Sequence, residues 1–178
     1  MRGPWTRFNL NPKTWTFQQR FLAGLLGCAG VLLYALYTQM FGGLAPCPLC
    51  TLQRGAFMAL GTTYFLGSLH APRSFVVRSS YVAVSVLIAL LGAGVATRHV
   101  WLQLLPADQV PACGPDLAHM LEAWPLFDVL RRVLTGSGEC AVVDWTFLGL
   151  SMPAWSLITF LALAVWSLLA LNAPLRRP

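Results

Sequence analysis

Charged side chains are few in this sequence: Asp, Glu, Lys and Arg make up 10% of its 178 residues, against roughly 25% in a soluble globular domain. With 57% hydrophobic residues and a mean hydropathy of +0.64, the chain lacks the polar surface that a water-soluble fold needs. The soluble classes are excluded. Acidic residues are scarcer still, and all six of them (Asp108, Asp116, Glu122, Asp128, Glu139 and Asp144) fall in one stretch. Internal repeats and low-complexity tracts are lacking. So is a second Cys-x-x-Cys, and the three histidines, His70, His99 and His119, are scattered, so the usual four-ligand zinc pattern is missing and no metal site is expected.

What is present is long apolar runs. A span needs about 20 mostly apolar residues, and four segments qualify, at about 21–41, 52–69, 79–98 and 154–172. The fold class expected is all-α, an integral membrane four-helix bundle with a long loop, about 101–153, between spans three and four. The whole chain, 1–178, is expected to form a single membrane domain. Residues 1–20 are polar and basic and the run behind them is long enough to span, which predicts a retained anchor, not a cleaved signal.

The net charge of +6 does not point to nucleic acid, because its distribution reports topology. Arg2, Arg7, Lys13 and Arg20 precede span one, Arg73 and Arg78 separate spans two and three, and Arg176 and Arg177 follow span four. These three segments share one side, the cytoplasm by the positive-inside rule. The acidic 101–153 loop and the turn 42–46 then lie outside. Within the loop, Leu117, Met120, Leu121 and Trp124, then Phe127, Leu130 and Leu134, predict two short amphipathic helices separated at Pro125. The apolar run Trp145 to Leu150 is expected along the membrane surface. Among the seven tryptophans, Trp15, Trp101, Trp145 and Trp155 read as an interfacial belt.

Of five cysteines, Cys47, Cys50, Cys113 and Cys140 fall on the outer side, where disulfides persist, and Cys28 lies within a span as a small buried hydrophobe. Cys47-Pro48-Leu49-Cys50 closes too small a loop to gain much from chain entropy, so it is a poor staple and a good exchange centre. Pro48 suits a first helical turn, which makes Cys47 an N-cap and brings Cys50 under the free N–H groups that favour a thiolate. Arg54 follows Cys50 by one turn on the same face, where it would stabilise a Cys50 thiolate or an anion beside it; the competing reading is a snorkelling interface arginine. Cys113 and Cys140 enclose 26 residues. That spacing suits an ordinary structural bridge, but both lie in Pro- or Gly-punctuated stretches open to a partner, which also suits exchange with the first pair. His99, at the depth of Cys47, reads either as structural or as a donor to a polar cofactor oxygen.

Taken together these residues resemble the bacterial disulfide-bond formation protein B (DsbB) family of quinone-dependent inner-membrane thiol oxidases. The resemblance runs through Pro46 to Cys50 with Gln53-Arg54, His99 with Leu102-Gln103-Leu104 and Pro106, Cys113, Gly138-Glu139-Cys140, and the string Asp144 to Trp155. Vitamin K epoxide reductase-like proteins also combine a four-helix bundle with Cys-x-x-Cys, but late in the chain, whereas here the motif opens span two.

The resemblance implies an inner-membrane protein with cytoplasmic termini and periplasmic cysteine loops. It implies four redox cysteines, Cys47, Cys50, Cys113 and Cys140. A reduced thioredoxin-fold partner of the DsbA type would attack a Cys113–Cys140 disulfide through Cys113. Cys140 would then attack Cys47, and the released Cys50 thiolate would pass two electrons to ubiquinone or menaquinone. Arg54 and His99 would lie near the quinone.

Overall fold

The computed structural model describes residues 15–43, 46–111 and 117–174. Cys113, Asp116 and the basic residues Arg2, Arg7, Lys13, Arg176 and Arg177 lie outside the described residues.

Helix α1 (Phe17–Gly42) begins a turn before the apolar run because Thr16 caps it. The Gln19 N–H donates to the Thr16 hydroxyl, while the Thr16 N–H donates to the Gln19 side chain, a reciprocal capping box. Gly43 ends the helix with φ 65, a conformation that costs glycine little. Helix α2 (Pro48–His70) and helix α3 (Phe75–Gln103) follow. Between α3 and the last long helix come a 3-10 turn at Ala107–Gln109, α4 (Leu117–Ala123), α5 (Leu126–Thr135), a second 3-10 turn at Gly138–Ala141, and strands β1 (Thr146–Phe147) and β2 (Leu150–Ser151). Helix α6 (Met152–Leu171) closes the described fold. The two short helices expected around Pro125 are α4 and α5.

The long helices pack in the cyclic order α1, α2, α3, α6. Helices α1, α3 and α6 are long and apolar enough to cross a membrane. Helix α2, expected as a span, is not in that set, since Thr51, Gln53, Arg54, Thr62, Thr63 and Ser68 dilute its hydropathy. The Thr62, Thr63 and Ser68 hydroxyls donate back to carbonyls of their own helix at 2.9, 2.9 and 2.8 Å, so they are satisfied without water.

Inside, Phe57 of α2 stacks on Phe160 of α6 with centroids 4.0 Å apart. Gly92 of α3 permits this, because a Cβ there would overlap the Phe160 ring. Tyr64 reaches from α2 to the Ser167 hydroxyl at 2.7 Å. Outside, Leu26, Leu33, Leu87, Leu91, Val165 and Leu168 are exposed. Apolar side chains on both the inner and outer faces suit a lipid solvent.

Two of the arginines read from sequence as topology markers have a second task. Arg78 is buried and its Nη2 donates to the carbonyls of Ala170, Leu171 and Ala173 at 3.0, 3.3 and 2.7 Å, while Arg20 Nη1 donates to the Leu169 carbonyl. Both cations therefore sit at the C-terminal end of α6, where the helix dipole and its unpaired carbonyls favour positive charge.

The Trp145–Leu150 stretch takes part in a tight antiparallel hairpin, Thr146 opposite Ser151 and Phe147 opposite Leu150. Leu148 and Gly149 both take positive φ, 52 and 78, the pattern of a two-residue turn matched to strand twist. The hairpin is anchored twice: Ser151 Oγ donates to Gln103 Oε1 at 2.6 Å and Trp155 Nε1 to the Phe147 carbonyl at 3.0 Å.

Candidate active site

The site is assembled at the N-terminus of α2. Cys47 is the N-cap, with φ -67 and ψ 165, and Pro48 occupies the first turn. The Cys47 sulfur accepts from the Cys50 N–H at 3.4 Å, and the two sulfurs lie 3.2 Å apart as free thiols. The sequence expectation for this turn is met. A two-electron oxidation with loss of both thiol protons would need only a small shift of the sulfurs to form a disulfide bond.

On the facing helix, His99 is 2% exposed. Its Nδ1 lies 3.1 Å from Gln53 Nε2 and its Nε2 lies 3.8 Å from Cys47 Sγ. An amide nitrogen only donates, so Nδ1 accepts and Nε2 carries the proton that faces sulfur. Gln53, one turn beyond Cys50, is buried at 4% exposure. Its role went unassigned in the sequence; the available signal was a polar amide within an apolar run.

The second surprise is how close Cys140 lies. The ligand atoms of Cys47, His99 and Cys140 all lie within 4.8 Å of one another. Cys140 is 1% exposed and sits in a cluster with Leu49, Leu102, Met120, Val129 and Val133, so its Gly-punctuated stretch does not leave the sulfur open to a partner. Burial follows from docking of the loop helices. Val129 and Val133, one turn apart on α5, face inward. Arg98 of α3 donates to the carbonyls of Leu134 and Thr135 at 3.2 and 2.8 Å, capping the end of α5, and its guanidinium lies 4.3 Å over the Trp101 ring. Gly136, with φ 87, then turns the chain against Leu102, where a Cβ would overlap that side chain. The hydrogen bond with Cys47, followed by burial, pushes the Cys140 thiol above the ordinary range.

Arg54 does share a wall with Cys50. Its guanidinium is held from α1, donating to Gln39 Oε1 at 2.5 Å and to the Ala35 carbonyl at 3.1 Å. Cys47, Cys50, Gln53, Arg54 and His99 open on a cavity of about 1150 Å³ whose other walls include Tyr34, Phe57, Trp145, Phe147 and Trp155. Thr38, Gln103, Glu139 and Asp144 also line it, so the cavity combines aromatic walls with several polar and charged groups.

A model of the family described as Disulfide bond formation protein DsbB matches residues 18–170. The chain belongs to the DsbB family. Relatives called Disulfide bond formation protein B include one from Xanthomonas axonopodis pv. citri (strain 306), 50% identical over 161 residues, which covers 90% of this chain and 94% of the relative. One from Methylococcus capsulatus is 50% identical over 149 residues, 84% of this chain and 90% of its own length. A third, from Acinetobacter baylyi, is 49% identical over 160 residues, 87% and 92% respectively. Membership with the three apolar helices makes this DsbB-family chain a membrane protein and a disulfide-forming oxidoreductase.

Of the site residues named from sequence, the fold brings Cys47, Cys50, Cys140, Arg54 and His99 to one end of the helices. Cys113 lies outside the described residues. Cys28 is buried mid-helix beside Gly61, apart from this group.

Proposed function

We propose that this DsbB-family chain is a dithiol:quinone oxidoreductase of the bacterial inner membrane. In this reading α2 crosses the bilayer beside the three apolar helices, the chain is one membrane unit, both termini are cytoplasmic, and the cysteine loops face the periplasm. Its task is to reoxidise a thioredoxin-fold partner of the DsbA type, which sustains disulfide formation in periplasmic proteins. The observation that carries the proposal is the convergence of Cys140 on Cys47, with Cys50 beside it at the wall of an aromatic cavity.

In this reading electrons pass from the partner through Cys113 and Cys140 to Cys47 and Cys50. A partner thiolate attacks Cys113 in a Cys113–Cys140 disulfide, and the Cys140 sulfur leaves with the bonding pair. Cys140 then attacks Cys47, forming Cys47–Cys140 and breaking Cys47–Cys50. Cys50 departs as a thiolate at the first turn of α2, where free N–H groups and the Arg54 guanidinium stabilise the charge. The second partner thiol completes its own disulfide and releases Cys113, which returns to Cys140 and frees Cys47. A quinone bound in the cavity, ubiquinone or menaquinone, would accept two electrons and two protons, leaving Cys47–Cys50 oxidised. His99 holds a proton at Nε2 facing Cys47, ready to stabilise charge as it develops on that sulfur, and Arg54 supplies fixed positive charge on the Cys50 side.

The test mixes the purified protein with a reduced thioredoxin-fold partner and a soluble ubiquinone analogue. Quinone absorbance should fall in proportion to partner thiols consumed. Unchanged absorbance with all four outer cysteines initially oxidised would defeat the proposal. In the same assay, Arg54→Met should slow quinone reduction while leaving the partner's thiol exchange intact; equal loss of both steps removes the role given to Arg54.

A further inference from the structure

Cys47, His99 and Cys140 are brought together from three separate elements, and in the thiol state they present two sulfurs and one imidazole nitrogen within 4.8 Å of one another. We propose that the reduced protein binds one thiophilic d10 cation, Zn2+ foremost, at this trio, and that the bound ion holds the protein in an inactive reduced state. Metal–ligand lengths of about 2.3 Å for sulfur and about 2.0 Å for nitrogen put ligands of a tetrahedral zinc site roughly 3.5–3.8 Å apart. The separation of 3.8 Å between Cys47 Sγ and His99 Nε2 already has that value.

The surroundings support a site over a chance meeting of side chains. His99 and Cys140 are 2% and 1% exposed, so neither must be recruited from solvent. Gln53 holds the His99 ring through Nδ1 at 3.1 Å, leaving Nε2 aimed at Cys47; on metal binding the imidazole proton moves to Nδ1 and the Gln53 amide turns over so that its Oε1 accepts that proton, the outer contact that orients a metal-binding imidazole. Cys47 lines the open cavity, which provides an entry path. Thiolate and imidazole donors without carboxylates select zinc over magnesium or calcium.

Binding involves no electron transfer. The Cys47 and Cys140 thiols each lose a proton, neutral His99 moves its proton from Nε2 to Nδ1, and two metal–sulfur bonds and one metal–nitrogen bond form. Two protons are released for each ion bound. Oxidation consumes the ligands, so a Cys47–Cys50 or Cys113–Cys140 disulfide cannot coexist with the full site. The consequence for turnover rests on the redox function proposed above. The binding itself does not.

The experiment titrates Zn2+ into the full-length reduced protein in detergent, following affinity with a chromophoric chelator and proton release with a weakly buffered indicator. One ion per chain with two protons released is expected, and no such binding after the thiols are oxidised. Cys140→Ser and His99→Ala should each weaken binding by more than the about 10–100-fold that loss of an outer-shell partner costs, and Gln53→Leu by that amount. Cys50→Ser and Cys113→Ser leave the trio intact and should bind as the parent does. Co2+ should give sulfur-to-metal absorption for two thiolates. Binding that survives oxidation, or that is lost in Cys50→Ser but kept in Cys140→Ser, overturns the proposal, as does no binding by the reduced parent. Failure to reduce quinone while zinc still binds would count against the redox reading alone.

Discussion

His99 Nδ1 lies 3.1 Å from the Gln53 side-chain nitrogen, and both side chains are buried between α2 and α3. That contact decides which imidazole nitrogen faces Cys47. A hydrogen bond between neutral groups contributes about 0.5–1.5 kcal/mol, and each 1.36 kcal/mol is about tenfold in rate. Gln53→Leu should therefore slow thiol exchange at Cys47 by about two- to tenfold. Nitrogen NMR of His99 should show the Nε2-protonated tautomer in the parent and a mixture in the variant. A single unchanged tautomer with unchanged exchange would remove Gln53 from the site.

Arg78 carries a stability prediction. Its Nη2 serves three carbonyls at the end of α6, so Arg78→Met leaves buried acceptors without a donor. The cost should be at least about 2 kcal/mol, which corresponds to a Tm about 4–8 °C lower for a chain of this size. Arg73→Met removes an exposed charge and should leave Tm nearly unchanged. Thermal unfolding in detergent checks both.

These two positions show how far the sequence could be read. Hydropathy located the four long helices, and Cys47 with Pro48 announced a helix start, because caps and apolar runs are local signals. Thr16 and Gln19 lengthen α1 beyond its apolar run by a side-chain hydrogen-bond pair that hydropathy does not register. Arg20 and Arg78 looked like topology markers, since nothing local says that their partners are carbonyls in α6, more than 90 residues away in the chain for both.

The Cys140 thiol supports a pH prediction. Its pKa is raised, first by the hydrogen bond with Cys47 and then by burial. Only the thiolate reacts, so across pH 7–9 the thiolate is a minority and alkylation of Cys140 in the reduced protein should rise about tenfold per pH unit without levelling. A thiol at the ordinary value, about 8.5, would rise only about threefold between pH 8 and 9. Mass spectrometry of the Cys140 peptide after timed alkylation gives the profile, and a rise of only about threefold over that last pH unit would contradict the raised pKa.

The site was legible as a set of residue types but not as a constellation. Cys50 and Arg54 share a helix face by spacing alone. The approach of Cys140 to Cys47 depends on Leu102, Met120, Val129 and Val133, which come from α3, α4 and α5, on the Arg98 cap of α5, and on the positive φ of Gly136. The hairpin at Leu148-Gly149 was hidden by the apolar character of its residues, which reads equally well as a surface segment.

The central claim is that electrons pass between Cys140 and Cys47, and it is tested most directly by trapping that bond. In Cys50→Ser, Cys47 has no resolving partner, so its thiol should attack Cys140 of a Cys113–Cys140 disulfide, form Cys47–Cys140 and release Cys113 as a free thiol. Acid quenching followed by peptide mapping should find Cys47–Cys140 as the main disulfide and Cys113 alkylated. An intact Cys113–Cys140 bond with Cys47 free would contradict the account.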